Sequence, residues 1–283
     1  MTTRRDFLTT LGAALGATAL GADRALAAAL HAKKLGRIGI QLYTVRSLTE
    51  KNLEGTLASL SRIGYREVEF AGYFGRTPAQ IRTMLKANKL KSPSTHIPLP
   101  ASDDVWKKSL DEAKSIGHEW VVVPWLDQAA RPTTDDGWGK LADRFNALAK
   151  LAKARGLKFA YHNHDFEFAK AGNATALDLL LTRTDPKLVD FEMDLYWVYK
   201  GGGDPLDFFT RYAHRFPLLH VKDATAAPAL AMVDVGSGTI DFGKIFARAS
   251  ASGQKHIYVE HDNPTDPLQT ATNSYRHLAA LNF

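Results

Sequence analysis

Short apolar runs alternate along this chain with longer segments in which apolar residues recur at helical spacing. The first run covers residues 38–43, and Leu53, Leu57 and Leu60 then repeat every three or four positions until Gly64 ends the helix. The same alternation predicts eight strands and eight helices, with the strands at residues 38–43, 67–70, 92–96, 120–124, 157–161, 188–193, 217–221 and 256–259.

Eight successive strand–helix units are typical of a closed (β/α)₈ TIM barrel rather than an open doubly wound sheet. An open sheet would be expected to carry a Gly-rich phosphate loop after its first strand, and residues 41–45 do not form one. A chain of 283 residues with 45% hydrophobic residues suits one domain of this kind. We therefore predict an α/β fold with a single TIM-barrel domain over residues 28–283.

The first 27 residues have the features of an export signal. Residues 3–8 resemble the twin-arginine motif, residues 11–20 are apolar, and residues 25–27 have the small-x-small form of a cleavage site. A transmembrane helix is the alternative, and the apolar stretch is short and Gly-rich for that role. We expect residues 1–27 to engage the twin-arginine export machinery, and the mature chain to be periplasmic without a membrane span.

The composition narrows the chemistry that is available. The chain has no cysteine, which excludes disulfides, thiolate zinc sites and cysteine nucleophiles. Any bound metal must therefore be held by His, Asp, Glu or water. The formal net charge is +6, but lysine and arginine are scattered among acidic residues, so no nucleic-acid partner is expected.

Ionisable residues recur at the ends of the predicted strands, where a TIM barrel builds its active site. They are Glu69, His96, His162, His164, Asp194, His220 and Glu260. Each alone could be a core residue or a helix cap, but several buried carboxylates together are costly without a cation. We predict a metal at Asp194, His220 and Glu260, with His162 close by. Mixed imidazole and carboxylate ligands favour a transition metal over a pure Mg²⁺ or Ca²⁺ cage.

Several segments, taken in order, resemble the sugar phosphate isomerase/epimerase family, the xylose isomerase-like TIM barrel group that also includes inosose dehydratase. They are residues 40–43, 67–70, 161–164, 193–197, 219–223, 236–242 and 259–262. The resemblance covers essentially the whole mature chain. It implies one divalent metal held by His162, Asp194, His220 and Glu260, with Mn²⁺ favoured over Zn²⁺, Fe²⁺, Co²⁺ or Mg²⁺. The metal would polarise a sugar carbonyl while a flanking base moves a proton on the adjacent carbon.

One position departs from the epimerase pattern. Epimerases of this family usually carry Glu on the fifth strand, where this chain has His162, so epimerisation between two glutamates is disfavoured. A similar His-rich fifth strand in the inosose dehydratase branch favours proton abstraction with loss or addition of water.

The remaining site residues have expected roles of five kinds. Glu260 is a ligand that also shuttles a proton; His164 and Glu167 are acid or base; Glu69 and His96 hold or protonate hydroxyls; Lys222 neutralises an oxyanion; and Tyr43, Trp125 and Trp197 stack on a sugar face. The alternative for the polar groups other than Glu260 is support around the site, and for the aromatic residues it is barrel packing.

Export favours a free sugar, a keto-sugar or a 3-keto-glycoside as substrate over a phosphate ester. Two other functions stay open at this point. An apurinic-site-type nuclease would need about three metal ions and a basic groove for DNA, and a non-catalytic sugar-binding barrel would need no ligand set. The sequence also leaves open the exact substrate, the choice among isomerisation, epimerisation and elimination, and the formation of a homo-oligomer.

Overall fold

The computed structural model describes residues 33–283, and the predicted signal peptide at residues 1–27 lies outside them. Eight parallel strands follow the order β2-β1-β8-β7-β6-β5-β4-β3. The strands are β1 Gly39–Gln41, β2 Glu67–Glu69, β3 Ser94–His96, β4 Trp120–Val123, β5 Lys158–His162, β6 Val189–Asp194, β7 Leu218–Val221 and β8 His256–Val259. Isolated parallel bridges, Glu67–Lys91 and Phe70–Thr95, join the two ends of this order. The predicted (β/α)₈ barrel is confirmed.

Nine α-helices surround the barrel in the described part of the chain. They are α1 Arg46–Ile63, α2 Pro78–Ala87, α3 Asp103–Ile116, α4 Asp135–Lys153, α5 Ala176–Arg183, α6 Leu195–Lys200, α7 Pro205–Arg211, α8 Phe242–Ser252 and α9 Pro267–Ala280. The prediction of eight helices was wrong by one, because α6 has only six residues and follows β6 directly. Among the helices of residues 33–283, none has both the length and the apolarity needed to cross a membrane.

Helix ends follow local capping chemistry. Thr77 and Gln80 form a capping box at the start of α2, with Pro78 in the first turn. The Ser102 side chain accepts the N–H of Val105 at the start of α3. That helix ends at Gly117, whose φ of 104° is a left-handed conformation that glycine adopts without strain. These signals lie in the sequence, so both ends of α3 are encoded locally.

Alternate residues of each strand face opposite sides of the barrel wall. In β6, Val189, Phe191 and Met193 belong to the apolar core between barrel and helices. Asp190, Glu192 and Asp194 are the intervening residues and face the barrel axis. A separate buried cluster fills part of the interior, formed by Trp120, Val122, Ala160, Leu218 and Tyr258. The barrel interior therefore contains an apolar layer in addition to the polar groups at the carboxyl ends of the strands.

Gly39 is required by packing inside the barrel. A Cβ atom added there would lie 2.5 Å from Cδ1 of Tyr258 and 2.7 Å from the carbonyl oxygen of Ile257. We expect Gly39→Ala to lower the free energy of unfolding by about 1–3 kcal/mol through overpacking. Gly36→Ala is the control, because no atom lies within 4 Å of its added Cβ, and it should change stability by less than about 0.5 kcal/mol. Urea unfolding would measure both, and equal effects would contradict the packing argument.

Candidate active site

Two overlapping groups of side chains in the described residues could hold a metal ion. The Asp194 set consists of His162, Asp194, His220 and Glu260, and the Glu192 set consists of His96, His162, Glu192 and His220. Within each set the possible ligand atoms all lie within 4.8 Å of one another. The structure therefore brings together the four predicted ligands. Their role as ligands stays a prediction, and Glu192 is an addition that the sequence analysis missed.

Strand register explains why these side chains meet. His162 at the end of β5 pairs with Glu192 on β6, and Asp194, two residues further, pairs with His220 on β7. Glu192 and Asp194 face the barrel axis from the same strand because side chains alternate with a period of two. The sequence did carry a signal for Glu192. It lies two residues before Asp194 and alternates with the apolar residues Phe191 and Met193, so its side chain faces the same side of the strand as that of Asp194.

Asp194 has one oxygen engaged by the backbone and one, here called open, that lies in an ion pair with Lys222 but accepts no hydrogen bond. Its Oδ1 accepts the N–H of Trp197 at 3.0 Å and so caps α6. Its Oδ2 is buried and has no hydrogen-bond partner, although Lys222 Nζ lies 3.1 Å away. Burial raises the pKa of Asp194 to about 6, against the opposing effects of Lys222 and His220. An open, buried carboxylate oxygen is a position suited to a cation.

His220 and Glu260 are in direct contact within the Asp194 set. Nδ1 of His220 lies 2.7 Å from Oε2 of Glu260. Burial opposes charge on both groups, yet Glu192 and Glu260 raise the pKa of His220 well above its usual range, and Lys222 and His220 lower that of Glu260. A proton therefore occupies the contact, and a divalent ion could replace it. With its two imidazoles, two carboxylates and one open oxygen, the Asp194 set fits such an ion.

Lys222 carries a buried positive charge beside this set. Its Nζ lies 3.1 Å from Asp194 Oδ2, 2.8 Å from Glu260 Oε2 and 2.6 Å from Asp262 Oδ1. Burial opposes its charge, but these three carboxylates raise its pKa well above the usual value. Lys222 thus stays an ammonium group at the barrel mouth, as its predicted role beside an oxyanion requires.

The predicted residues Glu69 and His96 contact each other, and Glu69 also contacts His220. His96 Nε2 lies 3.0 Å from Glu69 Oε2, and His220 Nε2 lies 2.7 Å from the same oxygen. Burial opposes charge on His96, but Glu69 and Glu192 raise its pKa to about 9. Gln41, which was not predicted, donates to Glu69 at 2.7 Å. The predicted contact of Glu69 and His96 with sugar hydroxyls stays a prediction.

Glu167 is placed behind the site rather than in it. Tyr161 donates its hydroxyl to Oε1 of Glu167, and the backbone N–H of His164 donates to Oε2 at 2.8 Å. Both oxygens are engaged and the side chain is fully buried. Burial raises its pKa to about 7, against the hydrogen bond from Tyr161. The arrangement supports the segment that carries His164 and gives Glu167 no open face toward the barrel mouth.

His164 has an open nitrogen at the mouth. Its Nδ1 is buried and has no hydrogen-bond partner, and burial together with Lys222 holds its pKa well below the usual value. The ring lies between two of the predicted aromatic residues, with centroid distances of 4.5 Å to Trp125 and 5.1 Å to Trp197. Nε1 of Trp197 is also buried without a partner. His164, Trp125 and Trp197 form one wall of the mouth. In this wall, Nδ1 of His164 and the N–H of Trp197 are available for hydrogen bonds to a ligand.

Tyr43, the third predicted aromatic residue, lies across the barrel from that wall. It follows β1, which is four strands away from β5 in the barrel order. The Arg46 guanidinium carbon lies 4.0 Å from its ring centroid. Tyr43 and Trp125 are both 43% exposed, which is unusual for large apolar side chains in this fold. An aromatic residue therefore borders the mouth on each side.

Asp223 holds the segment that follows β7. Its carboxylate accepts the backbone N–H groups of Gly236 and Gly238 at 2.9 and 3.0 Å, and that of Ile240 at 3.2 Å. This links the chain after Lys222 to the start of α8. The sequence analysis assigned no role to Asp223. Asp223 and residues 236–238 nevertheless both lie in segments that carry the family resemblance.

Comparison with known families agrees with this geometry. The family model for the xylose isomerase-like TIM barrel matches residues 57–281, so the chain belongs to that family. The matched region contains the whole Asp194 set. Among the barrel strands, only β1 precedes it.

Individual relatives are sugar- or cyclitol-modifying proteins by name. Inosose dehydratase from Lacticaseibacillus casei is 27% identical over 271 residues, covering 82% of this chain and 90% of the relative. A solved sugar phosphate isomerase/epimerase from Parabacteroides distasonis superposes with a TM-score of 0.77 at 25% identity, covering 87% of this chain and 95% of the other. The 3-keto-D-glucoside 4-epimerase of E. coli shares the fold, with a TM-score of 0.65 and 16% identity over 86% of this chain and 99% of the other. The first two relatives support a sugar-modifying enzyme, and the third shows the fold alone.

The burial of Glu167 predicts a pH dependence of stability. Because its pKa is about 7 when folded and near 4.5 when unfolded, the folded state binds the proton more tightly. Its contribution is complete below pH 4.5 and is lost as the pH rises through 7, on the order of 3 kcal/mol in total. Glu167→Gln should therefore flatten the decline in unfolding free energy between pH 5 and 8, measured by urea titration. Identical slopes in both proteins would contradict this assignment.

Proposed function

We propose that this protein is a divalent-metal-dependent enzyme that removes a proton beside the carbonyl of a keto-sugar or keto-cyclitol and promotes loss or addition of water at the next carbon. The observation that carries the proposal is the Asp194 set, in which an open carboxylate oxygen faces two imidazoles and a second carboxylate at the barrel mouth. The relatedness to inosose dehydratase supports the same reaction class.

His162, Asp194, His220 and Glu260 would hold the ion. When bound, it would supply Lewis-acid polarisation of the substrate carbonyl. We propose Mn²⁺ as the resident ion, with Zn²⁺, Fe²⁺, Co²⁺ and Mg²⁺ as alternatives, because nitrogen and carboxylate ligands bind all of these. Lys222 adds a fixed positive charge beside the same carboxylates, where it would neutralise negative charge developing on the substrate oxygen.

We assign the proton transfers to two histidines. His164 has an open, neutral nitrogen and is the base that takes the proton from the carbon next to the carbonyl. The electron pair of that C–H bond becomes part of a carbon–carbon double bond as the hydroxyl on the following carbon departs. His96, whose pKa is about 9, carries the proton with which that hydroxyl leaves as water. Addition of water runs through the same steps in reverse.

The substrate class follows from the walls of the mouth. Trp125 and Trp197 flank His164, and Tyr43 borders the opposite side, so a ring with apolar faces and hydroxyl edges could lie between them. The named substrates of the inosose dehydratase and the 3-keto-D-glucoside epimerase are keto compounds of this kind. We therefore propose a free keto-sugar, an inosose or a 3-keto-glycoside rather than a sugar phosphate.

We also propose export by the twin-arginine pathway and a periplasmic location, from the motif at residues 3–8 and the cleavage pattern at residues 25–27. A periplasmic site agrees with an unphosphorylated substrate. Fractionation of cells expressing the full chain would test the location, and replacement of Arg4 and Arg5 by lysine should retain the protein in the cytoplasm.

The metal proposal predicts one bound divalent ion per chain. Elemental analysis and titration of metal-free protein should give one equivalent, and Glu260→Gln should weaken binding by more than about 100-fold, beyond the loss typical of an outer-shell partner. Glu50→Gln is the control, because Glu50 is an exposed residue of α1. About three zinc ions per chain would favour a nuclease. Sugar binding that is equal in wild type and Glu260→Gln, with no turnover by either, would favour a non-catalytic barrel.

The reaction proposal predicts turnover of unphosphorylated keto substrates by the metal-loaded protein. Inososes, 3-keto-glycosides and ketohexoses should be tested beside their phosphorylated counterparts, with product formation followed by NMR in D₂O. Solvent deuterium should enter the carbon next to the carbonyl, and His164→Gln should slow this exchange by about 100-fold or more. Turnover of phosphorylated sugars alone would contradict the substrate class.

A further inference from the structure

Glu192 contacts both imidazoles of the Asp194 set from the side away from Asp194. Its Oε2 lies 3.0 Å from Nδ1 of His162 and 3.1 Å from Nε2 of His220. The same oxygen lies 2.8 Å from Nε2 of His96. A carboxylate oxygen only accepts hydrogen bonds, so at these distances each facing nitrogen must be an N–H donor.

These contacts determine which nitrogen of each ring stays free. If His162 carries its proton on Nδ1, its Nε2 is unprotonated and faces Asp194 Oδ2 at 3.6 Å. If His220 carries a proton on Nε2, shared with Glu192 and Glu69, its Nδ1 is the nitrogen that faces Glu260. The proton between His220 Nδ1 and Glu260 is the one that a bound ion would replace. The two ring nitrogens that an ion could use, Nε2 of His162 and Nδ1 of His220, then both belong to the Asp194 set. The other ring nitrogens are occupied by protons and offer no lone pair to the Glu192 set.

We propose that Glu192 is a positioning residue that fixes the tautomers of His162 and His220 and so directs a single divalent ion to the Asp194 set. The proposal rests on the metal-dependent function above and deepens it. Binding an ion at the Glu192 set as well would need both imidazoles to lose their second proton, which nothing around them favours, since each N–H already has a carboxylate acceptor. The two overlapping sets therefore form one metal site and its hydrogen-bonded support.

The barrel offers a matched comparison for a test. Glu67 is also buried and faces the barrel axis, and its Oε2 lies 2.7 Å from Nδ1 of His256. It is a carboxylate–imidazole pair of the same kind, but His256 belongs to neither metal set. Replacement of Glu67 by Gln therefore reproduces the loss of a buried charge without touching the ligand histidines.

The first experiment measures metal affinity. Zn²⁺ and Mn²⁺ are titrated into metal-free wild type, Glu192→Gln, Glu192→Asp and Glu67→Gln, with circular dichroism and thermal unfolding used to check folding. Glu192→Gln should raise Kd by about 10–100-fold, as is typical when a carboxylate behind a ligand histidine is lost. Glu192→Asp keeps the charge and should recover part of the affinity, whereas Glu67→Gln should bind like the wild type.

The second experiment reads the tautomers directly and needs no variant at Glu192. Long-range ¹H–¹⁵N correlation of histidine-labelled wild type loaded with Zn²⁺ should show the proton of His162 on Nδ1 and that of His220 on Nε2, with resonances assigned by single-histidine replacements. The Nδ1–H form of His162 is the informative signal, because a histidine side chain free in water prefers its proton on Nε2.

The outcomes separate this inference from the function it rests on. If wild type binds no divalent ion, the proposed function fails. If wild type binds one ion but Glu192→Gln binds equally tightly, or if His162 carries its proton on Nε2, the role of Glu192 is overturned while the metal enzyme stands. Two ions per chain would also overturn it, because the Glu192 set would then be a second metal site.

Discussion

The structure depends on the compensation of buried negative charge at one end of the barrel. Four carboxylates lie there with at most 5% of their surface exposed, namely Glu69, Glu192, Asp194 and Glu260. Charges taken out of water at this depth must be paired or neutralised. Lys222 supplies positive charge there, and the raised pKa values of His96 and His220 favour the charged form of both imidazoles. A divalent ion would take the place of one of those protons, so the same buried negative charge that holds these protons would also bind a cation.

Three carboxyl groups fix the backbone near this charged group, each by accepting one or more N–H groups of the segment that follows a barrel strand. Asp194 caps α6, Glu167 holds the segment of His164, and Asp223 holds the residues before α8. Charge-assisted hydrogen bonds of this kind are stronger than those between neutral groups. Loops that would otherwise be adaptable thus present His164, Trp197 and Lys222 in defined positions, which is a condition for proton transfer at a chosen atom.

The fold and most of the site could be predicted because both depend on local pattern. The alternation of strands and helices predicted the barrel. Ionisable residues at the strand ends predicted the Asp194 set, because parallel strands bring those ends together. Glu192 was missed because only the last residue of each strand was considered, although its spacing from Asp194 placed it on the same face. The short helix α6 was missed because six residues carry no periodic signal. The location of Glu167 depends on the Tyr161 hydroxyl on the outer face of β5, and no pattern in the sequence encodes such a contact.

The barrel wall closes between β2 and β3, where the structure has only isolated bridges in place of a continuous strand pairing. Glu69 ends one of these strands and His96 ends the other, and their side chains meet across the gap at 3.0 Å. Residues assigned to chemistry therefore also join the two margins of the sheet. A variant that replaced Glu69 or His96 to acquire a different reaction would also lose the contact that joins β2 to β3, here called the seam. This coupling restricts which new activities the scaffold can reach by single steps, and changes at Trp125 or Tyr43, which lie outside the seam, are the less constrained route.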